Sequence, residues 1–408
     1  MKHILFFFFF SILSSIDSYA CTSIIVSGKA SADGRPFIFK NLDGTKMDEA
    51  LIVCNGERFR YVAITNNTND AVRPSRVGSG YNETGFSIIN TNGYNLNKGK
   101  ADNGNNTKVM RRALEVCATL KDFETLLDTL PRPLHLNSNY GVMDAKGEIA
   151  YYEASSKGYV KYDANDPEVA PNGYLIRTNF GISGIKNSGK GYGRYKAMEM
   201  FVENVKKNGK ISYKDVIRGA SRYLTHGESK INLYDIEPEN AGLPVFVDFS
   251  NFIPRKYTVN AQLIQGVKIG ENPSETVAWT ICGSPLTTVC VPIWMTPGSE
   301  LPKIVSRDSN GHSPLCDAGL ELKKRLFPKS KKRKPDDINI AQLINKAGTG
   351  ILQQIEPVED EIFRRSDIVI QKIRQQGYVG TEVVDLYKWI DLYVPTEYKK
   401  RFGLVNSF

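Results

Sequence analysis

A cysteine stands at position 21, directly behind an apolar leader and at the head of a run of β-formers. Residues 1–20 read MKHILFFFFFSILSSIDSYA. Lys2 supplies a positive start, 4–13 an apolar stretch, and Ser18-Tyr19-Ala20 a small-x-small cleavage site, the pattern of a secretory signal peptide. The apolar run is short for a membrane span, and no later segment approaches ~20 apolar residues. The expected mature chain is secreted or periplasmic, has no stable membrane insertion, and starts at Cys21. Thiol and α-amine would then share one residue, at the head of a strand. A lipoprotein leader also ends at a cysteine, and that alternative makes the chain a lipidated, membrane-anchored surface binding protein acylated at Cys21. Ser18-Tyr19-Ala20 is a poor lipobox, since Leu is expected first and a small residue second.

Hydrophobic residues make up 41% and charged residues 24%, which excludes disorder and a small disulfide scaffold as descriptions of the whole. The net charge of +9 comes from 53 Lys+Arg against 44 Asp+Glu, and it is local. Eight basic residues and no acidic one lie in 323–334; without them 45 face 44. A nucleic-acid-coating surface is therefore not implied. The basic run reads as a solvated loop, with an anionic-surface anchor as the sharper alternative. Beyond Cys21 there are five cysteines, an odd number, so at least one is unpaired within the chain. Cys282 and Cys290 could pair, whereas Cys117 lies in a helical pattern and reads as a buried small hydrophobe.

Hairpins dominate the pattern. Segments 22–26 and 36–40 are rich in β-formers around the turn residues Ala32-Asp33-Gly34-Arg35. Residues 51–64 form a second hairpin turning at Asn55-Gly56. A turn at 83–85 leads into a strand, 140–154 makes another hairpin, and 174–178 and parts of 260–294, notably 277–282 and 288–294, are strands. Helical periodicity marks 108–120, 122–130, 194–207 and 212–224, then 338–346, 359–375 and 382–392. The organisation expected is a leader (1–20), a core (21–320), a basic loop (321–337) and a C-terminal helical extension packed on the core (338–408). Hairpin-joined strands with grouped helices point to α+β with antiparallel sheets.

An N-terminal cysteine is a minimal catalytic unit. Its thiol and α-amine have reference pKa values of about 8.5 and 8, so the amine can take the thiol proton without a histidine. Thiolate attack on an amide carbonyl creates an oxyanion that needs fixed donors, such as Asn amides. The protonated amine can return its proton to the leaving nitrogen. Only His135, His226 and His312 follow the leader, and none belongs to a metal-ligand or triad pattern. No metal site and no external cofactor are expected.

Several segments together, C-T-S-I-I-V at 21–26, F-K-N-L-D at 39–43, Y-N-E-T-G-F and N-T-N within 81–92, Y-G-V-M-D-A-K-G at 140–147, I-R-T-N-F at 176–180 and G-R-Y at 193–195, are identifiable. Through them the chain resembles the N-terminal-nucleophile (Ntn) linear amide C–N hydrolases, namely choloylglycine hydrolases and acyl-coenzyme A:isopenicillin N acyltransferase-like proteins. The resemblance runs through residues 21–294. It implies an Ntn αββα sandwich, two antiparallel sheets between helical layers, here with a C-terminal helical extension. It also implies Cys21 as nucleophile, Asp43 as the carboxylate holding its amine and thiol, Asn92 as oxyanion donor, Asn179 as a second active-site amide, and Arg194 as a support. Lys40 stands where choloylglycine hydrolases carry Arg; it keeps the charge and loses the planar fork.

Read without the resemblance, Asp43 before Gly44 has turn chemistry, Asn90 rivals Asn92, Asn179 could cap a turn, and Arg194 could be a solvated helix residue. The implied reaction is cleavage of a linear amide by way of a thioester on Cys21, or acyl transfer from the same site. The partner would be a small-molecule amide; bile salts, N-acyl amino acids, penicillins and β-alanyl amides all suit the family. Homo-oligomerisation is left open. Loops 66–80, 95–107 and 225–262 are expected to build the pocket. Residues 184–191 nearly spell a phosphate loop but place Gly191 where a Mg²⁺-binding hydroxyl is required, so they read as a loop beside the pocket.

Overall fold

The computed structural model describes residues 20–66, 74–97, 105–309, 311–329, 333–378, 380–405 and 408. Apart from Ala20, the expected signal peptide lies outside the described residues, as does 330–332 of the basic stretch. No described helix is long and apolar enough to cross a membrane.

Strand β1 (Cys21–Val26) pairs with β2 (Phe37–Asp43) as an antiparallel hairpin. Strands β3 (Ala50–Asn55), β4 (Arg60–Thr65), β5 (Ser79–Asn82) and β6 (Ser87–Asn92) start a second sheet. Helices α1 (Asn105–Val116) and α2 (Leu120–Thr129) intervene before β7 (Ser138–Met143), β8 (Ile149–Ala154) and β9 (Tyr159–Asp163) complete it. Its seven strands pair antiparallel in chain order. The chain returns to the first sheet with β10 (Tyr174–Arg177), runs through α3 (Tyr192–Lys206) and β11 (Phe246–Asp248), and adds β12 (Thr258–Gln265), β13 (Val277–Cys282) and β14 (Val291–Ile293). The order is β10-β1-β2-β12-β13-β14, all antiparallel. Helix α4 (Pro314–Leu326), strand β15 (Asp337–Asn339), which pairs with β11, and helices α5 (Ile340–Leu343), α6 (Ile351–Gln376) and α7 (Gly380–Phe402) close the chain.

The sheets stack with β1 and β2 against β6, β7 and β8. Helices α1 and α2 cover the outer face of the seven-stranded sheet, where Phe123 meets Tyr140 and Tyr152 edge-on. Helix α3 and the C-terminal helices cover the other sheet. Phe363 of α6 stacks on Trp279 of β13 at 4.7 Å, worth ~0.5–1.5 kcal/mol beyond burial. The chain is thus an α+β sandwich of two antiparallel sheets between helical layers. Strands buried on both faces explain why Ile24-Ile25-Val26 and Phe37-Ile38-Phe39 read as unbroken apolar runs.

Period-two alternation decides which polar side chains meet. Cys21, Ser23 and Ile25 share the face between the sheets, where Ser23 Oγ lies 2.7 Å from the Tyr151 hydroxyl. The cross-strand partners Leu42, Lys40 and Ile38 share that face. Asn41 and Asp43 point the other way, and Asn41 donates to the Ser221 carbonyl at 3.2 Å.

Helix α2 starts at Leu120, two residues early, because Thr119 and Asp122 form a reciprocal capping box. The helix expected at 212–224 is a π-helical turn (Asp215–Gly219) running into a 3₁₀ turn (Ala220–Arg222). The widened turn brings Arg222 to Glu359 of α6, a two-pronged contact with both bonds at 2.7 Å. Segment 338–346 is mostly not helix: 337–339 is drawn into pairing with β11, leaving a single helical turn. Helices α6 and α7 outrun 359–375 and 382–392 because each carries an internal proline, Pro357 and Pro395, which reads in sequence as a stop. No disulfide joins any of the cysteines, all of which are described, and Cys282 neighbours Cys316 and Ser313 rather than Cys290.

Candidate active site

At the open end of the β1–β2 hairpin a pocket of about 210 Å³ is lined by Cys21, Lys40, Leu42, Asp43, Glu49, Asn90 and Asn92, with Thr65, Asn66, Arg76–Gly78 and Thr107 around them. The strand pattern already places Cys21, Lys40 and Leu42 on the face that looks across to β6, which supplies Asn90 and Asn92.

Cys21 is 5% exposed. Its backbone nitrogen donates to Asn179 Oδ1 at 2.8 Å. That oxygen also accepts from Arg194 Nη2 at 2.7 Å, while Arg194 Nη1 donates to the Cys21 carbonyl and, at 2.8 Å, to Thr22 Oγ1. Asn179 Nδ2 donates in turn to the Asn92 carbonyl at 3.1 Å. Arg194 comes from the first turn of α3, where a cation is unfavourable to the helix dipole; its partners at Cys21 and Asn179 account for the placement. Gly191, with φ of 83°, precedes that turn, and a Cβ there would come within 2.5 Å of the Arg194 guanidinium. Gly191 at the end of the 184–191 loop therefore leaves room for the Arg194 guanidinium, and an antiparallel bridge from Asn179 to Lys190 ties the loop to the site.

Asp43 ends β2 and closes the other side. Its Oδ1 accepts from Thr258 Oγ1 at 2.6 Å and its Oδ2 from Arg255 at 3.2 Å. Thr258 sits at a bulge in the β12–β2 pairing, the usual device for re-aiming a side chain beside a site. Burial pushes the Asp43 carboxyl up, opposed by Arg255, Arg194, the Thr258 hydroxyl and Lys323. Burial also raises the Cys21 thiol, with the Lys40 charge as the strongest opposing influence. Lys40 is buried and its own pKa is lowered by burial. Its ammonium donates to Asn90 Oδ1 and to the Gly78 carbonyl, both at 2.9 Å.

The two rival asparagines differ in what is left over. Asn90 spends its oxygen on Lys40 and its nitrogen on Ser138 Oγ at 3.0 Å. Asn92 accepts from Asn106 at 3.0 Å, and its amide nitrogen has no partner among the described residues. Of the six positions singled out from sequence, Cys21, Lys40, Asp43 and Asn92 line the cavity, and Asn179 and Arg194 stand behind Cys21, hydrogen-bonded to it. Sequence reading missed Glu49 in the pocket wall, Asn106 behind Asn92, and Thr258, Arg255 and Lys323 behind Asp43. Loops 66–80 and 95–107 contribute to the lining as expected, but among the described residues 225–262 does not line it; that segment acts from outside, through Arg255 and Thr258.

Comparison with known proteins gives three findings. Residues 33–196 match the family model described as acyl-coenzyme A:6-aminopenicillanic acid acyl-transferase. No curated protein sequence matches the chain. Among solved structures, it is similar to conjugated bile acid hydrolase from Clostridium perfringens (10% identity, 67% of this chain and 92% of that one, TM-score 0.39). It is also similar to the Caenorhabditis elegans ortholog of N-acylethanolamine-hydrolyzing acid amidase (16%, 62% and 93%, TM-score 0.37) and to penicillin V acylase from Agrobacterium tumefaciens (12%, 67% and 86%, TM-score 0.32). The matched segment carries Lys40, Asp43, Asn92, Asn179 and Arg194, and lies within the two-sheet sandwich described above. Residues 33–196, about two fifths of the chain, are thus similar to the acyl-coenzyme A:6-aminopenicillanic acid acyl-transferase family.

Proposed function

We propose that this protein is a secreted cysteine amidase whose nucleophile is Cys21, made the chain's first residue by removal of 1–20. The family match over residues 33–196 supports amide-bond chemistry, hydrolysis or acyl transfer, in general terms. The observation that carries the finer reading is the Cys21 nitrogen, held by Asn179 Oδ1 at the mouth of the pocket. Once that nitrogen is an amine, it has a lone pair beside its own thiol. The thiol proton passes to the amine, and the sulfur attacks the amide carbonyl. A C–S bond forms, and the oxyanion meets the Asn92 amide nitrogen. Collapse breaks the C–N bond, with the amine's proton going to the leaving nitrogen. Water then attacks the thioester, releasing a carboxylic acid and restoring the thiol. Asp43, with its surrounding cations, and Arg194 hold the geometry.

Cys21 is paired with Leu42 of β2 and buried, which is unfavourable to a lipid chain on its sulfur. Mass spectrometry of the mature protein is expected to find an unmodified Cys21 at the start; a diacylglyceryl group there would make the lipidated binder the correct reading. Purified mature protein assayed against a panel of linear amides is expected to turn over at least one, and Cys21→Ala to abolish it. Persistent cleavage by Cys21→Ala would overturn the proposal. The family match also favours an acyltransferase reading, which added amine acceptors would reveal as a new amide product in place of the acid.

A further inference from the structure

The basic stretch at 323–334 does not begin as a solvated loop. Lys323 lies inside α4, 4% exposed, on the buried stripe formed by Leu315, Gly319, Leu322 and Leu326. Its ammonium donates to the Thr258 carbonyl at 2.9 Å and lies 3.5 Å from Met47 Sδ. Among the described residues no carboxylate pairs with it directly. The same Thr258 donates its hydroxyl to Asp43 Oδ1 at 2.6 Å, and that hydroxyl accepts from the Arg255 backbone N–H at 2.8 Å. A chain of two contacts therefore runs from an outer helix, beyond the family-matched segment, to the carboxylate beside Cys21.

We propose that Lys323 is a positioning residue for the reaction: it pins the Thr258 bulge that aims a hydroxyl at Asp43 and adds a buried positive charge behind that carboxylate. This inference rests on the reading of Asp43 given above. A buried lysine without a counter-ion in contact is costly, and here the cost goes to a group one residue removed from the site. The groups facing Asp43 are Arg255, Arg194, the Thr258 hydroxyl, Lys323, Cys21 and Lys40; those facing Lys323 are Asp43, Cys316 and Lys256. Burial draws the Lys323 ammonium down to about 7, so it is charged on the acid side of neutrality, and burial raises the Asp43 carboxyl. Its charge favours the carboxylate there.

The test is the pH profile of kcat/KM on whichever amide the panel yields. Lys323→Met removes charge and donor. It is expected to move the acid limb upward by about half to one pH unit and to lower kcat about tenfold while KM stays within twofold. Lys323→Arg is expected to return the limb to its place. A purely structural lysine would lower the melting temperature without moving the limb. If Met at 323 does not fold, Lys323→Gln, which keeps a donor for the Thr258 carbonyl, stands in and is expected to shift the same limb. An unmoved limb in a folded variant overturns this proposal alone; activity surviving in Cys21→Ala overturns the reading beneath it.

Discussion

Glu49 offers the sharpest physical test. It lines the pocket, is 2% exposed, and its Oε1 has no hydrogen-bond partner among the described residues. Burial pushes its carboxyl from 4.5 to about 8, with Asp48 adding to the rise and Asn260, Lys40 and Arg307 opposing it. The folded chain therefore keeps this proton at pH values where the unfolded chain has released it. Between pH 4.5 and 8 the unfolded state binds fewer protons, so stability falls as pH rises. The penalty is absent below 4.5, grows through that window and is complete above 8, where it reaches roughly 5 kcal/mol at 1.36 kcal/mol per pH unit. Glu49→Gln carries no titrating group and escapes it. Urea unfolding of both proteins at pH 5, 6, 7 and 8 isolates Glu49 and the charges coupled to it, because the groups that do not interact with it cancel in the difference. The Gln variant is expected to gain on the parent at each step, by several kcal/mol in all. Parallel curves would show that the folded carboxyl titrates normally and that the reasoning from burial is wrong.

Two further outcomes follow from contacts already described. Asn92→Ala is expected to lower turnover by roughly 10²–10³ with little change in KM; a wild-type rate from Asn92→Ala would move the oxyanion donor elsewhere. Arg222→Met leaves the buried Glu359 with the more exposed Arg218 as its remaining ion-pair partner. It is expected to cost about 3–5 kcal/mol in urea unfolding, and Glu359→Gln added to it should recover much of the loss.

Local chemistry carried most of the fold into the sequence. The hairpins at 51–64 and 140–154 announce themselves through Asn55-Gly56 and Gly147, and Gly147 does adopt a positive φ, of 81°. Elements whose form depends on a distant partner were not legible. Strand β15 exists because β11 lies beside it, and the π-helical turn exists because Arg222 must reach Glu359. Pro357 and Pro395 obscured two helix boundaries. The site was legible where its residues sit in compact motifs on β1, β2 and β6 and before α3. Its supports were not: Thr258 and Lys323 look ordinary until the sheet register sets them behind Asp43. Lys323 did leave one signal, since it falls on the apolar stripe of its helix, where a solvated lysine has no reason to be.

Ala20, which would be the last residue of the proposed leader, is only 4% exposed, and its carbonyl accepts from the Asp43 N–H at 3.1 Å. A protease arriving from outside would find nothing to grip once the first strand has been zipped between its two neighbours. If 1–20 are removed as proposed, the cut is therefore expected while the chain is still nascent and extended, before β1 closes against its neighbours.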